Sequence, residues 1–155
     1  MERQIEQFVR DQRVARLATV DGRGGPHIVP IVFAYAAGRL YTPIDLKPKS
    51  APPERLRRVR NIQANANVQV LLDRYDEDWR HLGYVQLRGR AELIERGREH
   101  SRALRLLERK YPQYAELPLE GRPVIKVTVE RTVTWGRLAG ASTARERKRP
   151  GESGG

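Results

Sequence analysis

The amino-acid sequence predicts a mainly β protein, in which one antiparallel barrel of six strands is flanked by helices. Six segments are apolar throughout or alternate apolar and polar residues, as strands do. The first three are joined by short glycine-containing turns, which suit hairpins and are too short for a helical crossover. Gly89 stands inside the fifth segment, where a glycine is typical of a bulge or bend. A bending sheet of six strands favours a closed or partly closed barrel over an open sheet.

The predicted strands cover residues 14–20, 26–36, 39–43, 67–73, 82–94 and 124–135. Turns at 21–25 and 37–38 make the first three strands a β-meander. Pro30 interrupts the second strand, and a proline cannot donate a hydrogen bond to a ladder. Pro30 can be an ordinary proline of an edge strand, or it can mark a break in the ladder that leaves backbone groups free for a ligand.

Three helices are predicted, at 2–13, 54–66 and 98–111, because each has apolar residues at helical spacing. The second helix follows two prolines and is strongly basic, with arginine at positions 55, 57, 58 and 60. We expect one folded domain over residues 1–140. Residues 141–155 are polar, basic and glycine-rich, and we expect them to form a disordered tail.

The composition indicates a protein that attracts anions. Lys and Arg number 30 against 19 Asp and Glu, which gives a net charge of +11. Such a field attracts nucleic acid, anionic lipid or a phosphorylated or carboxylated small molecule. The chain has no cysteine, which excludes disulfides and thiolate metal sites. No apolar run approaches the roughly 20 residues of a membrane span, and the N-terminus lacks an apolar signal region. We therefore expect a cytoplasmic protein.

A loop with two lysines leads from the third strand into the basic helix. Lys47 and Lys49 supply ammonium groups, and the helix N-terminus supplies free N–H groups and the positive end of its dipole. Asp45 and Ser50 are short polar residues that can hold the turn. The arrangement predicts a phosphate site, although a solvated basic loop fits the spacing equally well.

The common catalytic constellations are missing from the sequence. His27, His81 and His100 are scattered, without an HExxH motif or another metal spacing. There is no GxSxG elbow, P-loop or GxGxxG after a strand. An enzyme would therefore have to take its chemistry from an organic cofactor. Nucleic-acid binding is a weaker alternative, because aromatic residues are only 6% and do not alternate with the basic ones.

Three runs, in order, resemble one known family: RVARLATVDGRGGPHIVPIVFAYAAGRLYTPIDLKPK, RNIQANANVQVLLD and DWRHLGYVQLRGRAELI. They are similar to the pyridoxamine-phosphate-oxidase-like split barrels that bind flavins and deazaflavins, and especially to the branch dependent on coenzyme F420. The resemblance covers about residues 5–138. It implies a six-stranded split barrel and a homodimer with two cofactor sites at the subunit interface.

The resemblance also assigns residues to the cofactor. The family's strand that matches 27–33, here with Pro30, Ile31 and Val32, lies along the ring system and offers it backbone groups. Gln86 aligns with a strand that reaches the cofactor from the second subunit. Trp79 is a candidate for ring stacking or for a lid, and a core or interface role suits it equally.

The phosphate end of the cofactor is assigned in the same way. Tyr41 and Thr42 match the family's YT pair near the phosphate, and Lys47 and Lys49 match its basic loop. The family more often has a compact Lys-Ser-Arg-Lys loop there. This chain has the longer KPKSAPPER, so Arg55 is the loosest of these assignments.

The implied activity is hydride transfer between reduced coenzyme F420 and a small organic acceptor. An FMN-dependent oxidoreductase and a non-catalytic flavin carrier are the alternatives on the same fold. Tyr84 and His27 are candidates for a general acid, and the sequence assigns no catalytic residue.

Overall fold

The computed structural model describes residues 1–44 and 56–139 of the chain. The predictions made for Lys47, Lys49, Arg55 and the tail therefore lie outside the described residues.

The described residues contain three helices and seven strands. They are, in chain order, α1 (Arg3–Asp11), β1 (Ala15–Val20), β2 (Pro26–Ile31), β3 (Ala34–Ala36), β4 (Arg39–Pro43), α2 (Arg57–Ala64), β5 (Asn67–Arg74), β6 (Gly83–Ile94), α3 (Arg98–Lys110) and β7 (Val124–Gly136). Single 3-10 turns lie at Trp79–His81 and Pro112–Ala115. Within this part of the chain, no helix has the length and apolar character to cross a membrane.

All seven strands form one antiparallel sheet, in the order β2-β1-β5-β6-β7-β4-β3. The two edge strands, β2 and β3, follow each other in the chain and are separated only by Val32 and Phe33. Since three Cα steps span at most about 11 Å, the sheet must curl until its two edges come close together. The expected mainly β split barrel is therefore confirmed. The expected strand number is wrong, because segment 26–36 pairs with β1 in its first half and with β4 in its second.

The bulge predicted at Gly89 is confirmed by a register shift between Arg88 and Gly89 in the ladder of β6 and β7. A Cβ atom at Gly89 would collide with the carbonyl oxygen of Thr128. The residue must be glycine because the partner backbone occupies the space of a side chain. The bulge bends the longest strand pair, and the sheet can then wrap around its core.

The core has two parts. The larger fills the barrel, where α1 contributes Phe8 and Val9 and the inner faces of the strands contribute residues such as Leu17 and Leu87. The smaller joins α3 to β3 and β4, with Leu107 fully buried. Each large apolar side chain that is buried completely stabilises the fold by roughly 1.5–3 kcal/mol. The helix α3 is thereby fixed against the strands that flank the opening of the barrel.

Candidate functional site

The free edge of β2 is the first part of the candidate site. On one side β2 pairs with β1, and no described strand pairs with its other side. Ile28 is 63% exposed and Pro30 is also exposed, so the strand offers an apolar outer surface. Alternate residues of an edge strand turn their N–H and C=O groups away from the neighbouring strand. The edge can therefore bind the polar rim of a flat ligand.

The two prolines of β2 decide which groups this edge presents. Pro26 and Pro30 pair in register with Val20 and Arg16, and both lack an N–H. Because a proline in an edge strand turns its missing donor toward solvent, the backbone of residues 26, 28 and 30 faces outward. The free edge then carries three carbonyl groups and a single N–H, that of Ile28. Such an edge suits a ligand that donates hydrogen bonds.

The interruption of the ladder lies at Val32 and Phe33, not at Pro30 as one interpretation of the sequence had it. Pro30 is a regular, exposed member of β2. At the break, the hydroxyl group of Tyr111 accepts a hydrogen bond from the Phe33 N–H at 3.1 Å. The same hydroxyl lies 3.1 Å from the carbonyl oxygen of Phe33 and 2.9 Å from that of Arg13. One tyrosine thus replaces the missing ladder partner, and the sequence gives no sign of this role.

The YT pair at the end of β4 is buried within the chain. Tyr41 is 5% exposed and Thr42 2%. The Tyr41 hydroxyl donates to Glu99 Oε1 at 3.2 Å, and Lys126 Nζ lies 2.7 Å from the same oxygen. The hydrogen bond and charge of Lys126 lower the pKa of Glu99, while burial raises the pKa of Tyr41. The pair therefore fixes the point from which residues 45–55 depart. Ile31 is likewise a core residue, so only its backbone can reach a ligand, while Val32 is half-buried.

The helix α2 begins where segment 45–55 ends, and a buried polar contact holds it in place. Asn61 Nδ2 donates to Thr19 Oγ1 at 3.0 Å, and both residues are almost fully buried. Arg57 and Arg60 are exposed on this helix. Sequence reasoning missed Asn61, although an asparagine beside the buried stripe of Val59 and Ile62 is a visible signal. The contact fixes the helix that carries these two arginines, which follow the predicted phosphate loop in the sequence.

Gln86 lies on the outer face of the sheet, three strands away from Pro30. In register, Pro30 is opposite Arg16, Arg16 is opposite Leu71, and Leu71 is opposite Gln86. Three strand spacings correspond to about 14 Å. Gln86 and the free edge of β2 therefore do not meet within one chain.

Aromatic residues lie where β6 begins and β7 ends. Trp135 is 53% exposed and stacks on Tyr84 with ring centroids 5.6 Å apart. Trp79, in the turn before β6, is 72% exposed. Arg74 donates to the carbonyl oxygens of His81 and Arg137 and so ties this turn to the end of β7. These exposed rings are available to stack on a ligand or on a second protein chain.

A cleft of about 360 Å³ opens beside the bulge of β6 and is lined in part by Pro26, Gln69 and Arg88. Arg88 is directly opposite Arg131 in the ladder, and both are exposed. Like charges opposite each other are unfavourable, and an anion placed between them relieves the repulsion. Nothing in the sequence pattern singled out this pair.

The described residues fit a flavin-type cofactor in part. A ring of that type needs an apolar wall and polar groups at its rim, and the outer edge of β2 has both. Its phosphate needs cations, and α2 carries Arg57 and Arg60 shortly after the predicted lysine clamp in the sequence. The donor set is complete only if a second chain brings Gln86 and the aromatic end to the same ring.

Comparison with known protein families gives a match to this chain. The family model described as "Pyridoxamine 5'-phosphate oxidase" matches residues 1–136, which is nearly the whole described chain. No curated protein sequence matches the chain.

Solved structures with the same fold are numerous but distant in sequence. A conserved hypothetical protein from Mycobacterium tuberculosis, Rv2991, superposes with a TM-score of 0.71 at 20% identity over 92% of this chain and 94% of its own. An FAD-binding protein from Mesorhizobium loti superposes with a TM-score of 0.65 at 20% identity, over 84% of this chain and 89% of its own. The heme storage protein HutZ from Vibrio cholerae superposes with a TM-score of 0.67 at 16% identity, over 87% of this chain and 93% of its own. At these identities the likeness concerns the fold alone.

Proposed function

This chain belongs to the pyridoxamine 5'-phosphate oxidase family, and from that premise we propose that it is an oxidoreductase that uses coenzyme F420. The family binds flavins, so the choice of the deazaflavin is the specific part of the proposal. The observation that carries it is the open edge of β2, which is apolar, rich in carbonyl groups and close in sequence to a basic segment. The imide N–H of the ring can donate to these carbonyl groups, while the acceptors of its rim need donors from other parts of the site.

Each end of the cofactor has its own group of residues. The backbone of Pro30, Ile31 and Val32 orients the ring, while Lys47, Lys49 and Arg55 bind the phosphate. Coenzyme F420 also carries an oligoglutamate tail, which Arg57 and Arg60 attract from the exposed face of α2. Since an exposed ion pair contributes less than about 1 kcal/mol, the arginines steer the tail more than they hold it.

The second half of the site comes from a second copy of the chain. Gln86 is about 14 Å from Pro30 in one chain, and a homodimer with facing outer sheets would bring the partner's copy of this residue to the ring. Ile28, Leu71 and Trp135 are apolar residues of this face that a second chain would cover. Trp79 would then close over the ring and exclude water. Light scattering at micromolar concentration should give the mass of a dimer, and Leu71→Glu should shift it toward the monomer.

When bound, the reduced deazaflavin supplies the hydride. The protein contributes orientation, a cationic environment for the phosphate and exclusion of water. An organic acceptor would lie on the ring face opposite the wall that β2 provides.

Parallel titration of the purified protein with coenzyme F420 and with FMN tests the cofactor. We expect the deazaflavin to bind more tightly, and absorbance separates the two because only FMN has the long-wavelength flavin band. Arg57→Gln with Arg60→Gln should weaken binding of the tailed deazaflavin by up to tenfold and leave binding of a tail-less deazaflavin unchanged. Tighter binding of FMN, or no binding of either, would overturn the proposal.

A flavin or deazaflavin carrier without turnover is the second candidate. The observation that favours it is that neither candidate general acid is fully exposed: His27 and Tyr84 are half-buried in β2 and β6, and the Tyr84 ring is stacked on Trp135. Reduced coenzyme F420 should be oxidised in the presence of quinone or nitro-aromatic acceptors if the chain is a reductase. Tight binding without oxidation would identify a carrier.

A further inference from the structure

A cavity of about 240 Å³ lies between the C-terminal ends of α1 and α3, and it shares no residue with the proposed cofactor site. It is lined by Arg10, Ala34, Tyr35, Leu106, Arg109 and Lys110. Its walls are apolar, while Arg10 and Arg109 are exposed and can reach a ligand from solvent.

Lys110 has an unusual environment for a cation. Its Nζ lies 3.7 Å from the centre of the Phe33 ring and donates to the carbonyl oxygen of Gln12 at 2.8 Å. The Arg13 guanidinium, placed 4.6 Å over the Tyr111 ring, donates to the Lys110 carbonyl oxygen. Burial first, and then the charge of Arg13, lower the pKa of Lys110 to about 8.

Burial and the charge of Arg13 raise the share of the neutral amine, although the Phe33 ring and the charge of Asp11 favour the ammonium form. At pH 7.5 roughly a quarter of Lys110 is unprotonated, against about a thousandth of an ordinary lysine. An amine that donates one hydrogen to Gln12 keeps its lone pair free. Burial near a second cation is a known way to make a lysine nucleophilic.

We propose that this cavity is a second ligand site, where Lys110 captures a small anionic aldehyde as an imine while Arg10 and Arg109 bind its acidic group. The nitrogen lone pair attacks the carbonyl carbon and gives a carbinolamine. This intermediate loses the former carbonyl oxygen as water, which carries away both hydrogens of the amine. The step needs no oxidant or reductant.

The chain allows a clean test because it has only five lysines. The native protein is treated at pH 7.5 with glyoxylate, the smallest anionic aldehyde, and cyanoborohydride traps any imine as a stable adduct. Peptide mass mapping then gives the labelling rate of each lysine. Lys126 is the internal control, because the hydrogen bonds that it donates to Glu99 and Glu92 raise its pKa. We expect Lys110 to be labelled at least ten times faster than Lys126.

The role of the arginines is tested with exposed single substitutions. Arg109→Gln and Arg10→Gln should each slow labelling of Lys110 by glyoxylate about threefold or more, without slowing labelling by the uncharged glycolaldehyde. Arg105→Gln makes the same charge change on an exposed position of α3 outside the cavity and should have no effect. Equal rates at Lys110 and Lys126 would overturn the imine. An equal response of the three variants would overturn the anion site.

Discussion

Replacement of Tyr111 by phenylalanine tests whether the tyrosine hydroxyl group stabilises the break between β2 and β3. The phenol oxygen is the only part removed, and in the native chain it contacts the N–H and C=O of Phe33 and the C=O of Arg13. Phe33 is fully buried, so neither of its backbone groups can turn to water instead.

The size of the effect follows from these contacts. A buried N–H that loses its partner costs about 1–3 kcal/mol, and the loss of a donated hydrogen bond adds about 0.5–1.5 kcal/mol. The single hydroxyl hydrogen serves only one of the two carbonyl groups at a time, so these contributions are counted once. We expect Tyr111→Phe to lower the free energy of unfolding by about 2–4 kcal/mol.

Urea unfolding followed by circular dichroism measures this free energy. Tyr75→Phe is the matched control, because Tyr75 is 65% exposed and should change stability by less than about 0.5 kcal/mol. Hydrogen exchange at the Phe33 amide should also become faster in the Tyr111 variant. A loss no greater than that of the control, with unchanged exchange at Phe33, would refute the role assigned to the hydroxyl group.

Three further predictions concern the loop, α2 and the buried amine. Lys49→Ala should weaken cofactor binding by about 1–3 kcal/mol in titration calorimetry, while Lys148→Ala in the predicted tail leaves it unchanged. Asn61→Ala should lower the free energy of unfolding, measured with urea, by about 1–3 kcal/mol. The double variant Asn61→Ala with Thr19→Val should lower it by less than the sum of the two single variants, since both side chains form the same hydrogen bond. The pKa of Lys110 is lowered to about 8 in the folded chain, so the unfolded chain binds more protons between about pH 8 and 10.5. Stability should therefore rise with pH over that window, and Lys110→Met should flatten the rise.

Most of the fold could be predicted because its signals are local. Alternating segments, turn glycines and the mid-strand Gly89 gave the strands, both hairpins and the bulge. The seventh strand could not be predicted in this way. Segment 26–36 is one mostly apolar run, and at the point where it divides, the hydroxyl group of Tyr111, a residue 78 positions away, accepts a hydrogen bond from the Phe33 N–H. A contact between distant residues leaves no trace in local periodicity.

The candidate site was less accessible to sequence reasoning for a related reason. Motif positions indicate that Ile31, Tyr41 and Thr42 matter, but not that their side chains are buried in the chain. Whether a position acts by its side chain, by its backbone or by fixing a loop depends on the direction in which the strand presents it. That direction is set by the register of the whole sheet.

The open edge of β2 and the break at Phe33 are two aspects of one feature. Had the segment continued as a single strand between β1 and β4, the barrel would have closed and left no edge for a ligand. An edge strand invites pairing with another chain, and Pro26 and Pro30 limit that risk because they remove donors from it. The same two prolines leave an edge that mainly accepts hydrogen bonds. Protection from unwanted pairing and the acceptor character of the free edge thus follow from the same residues.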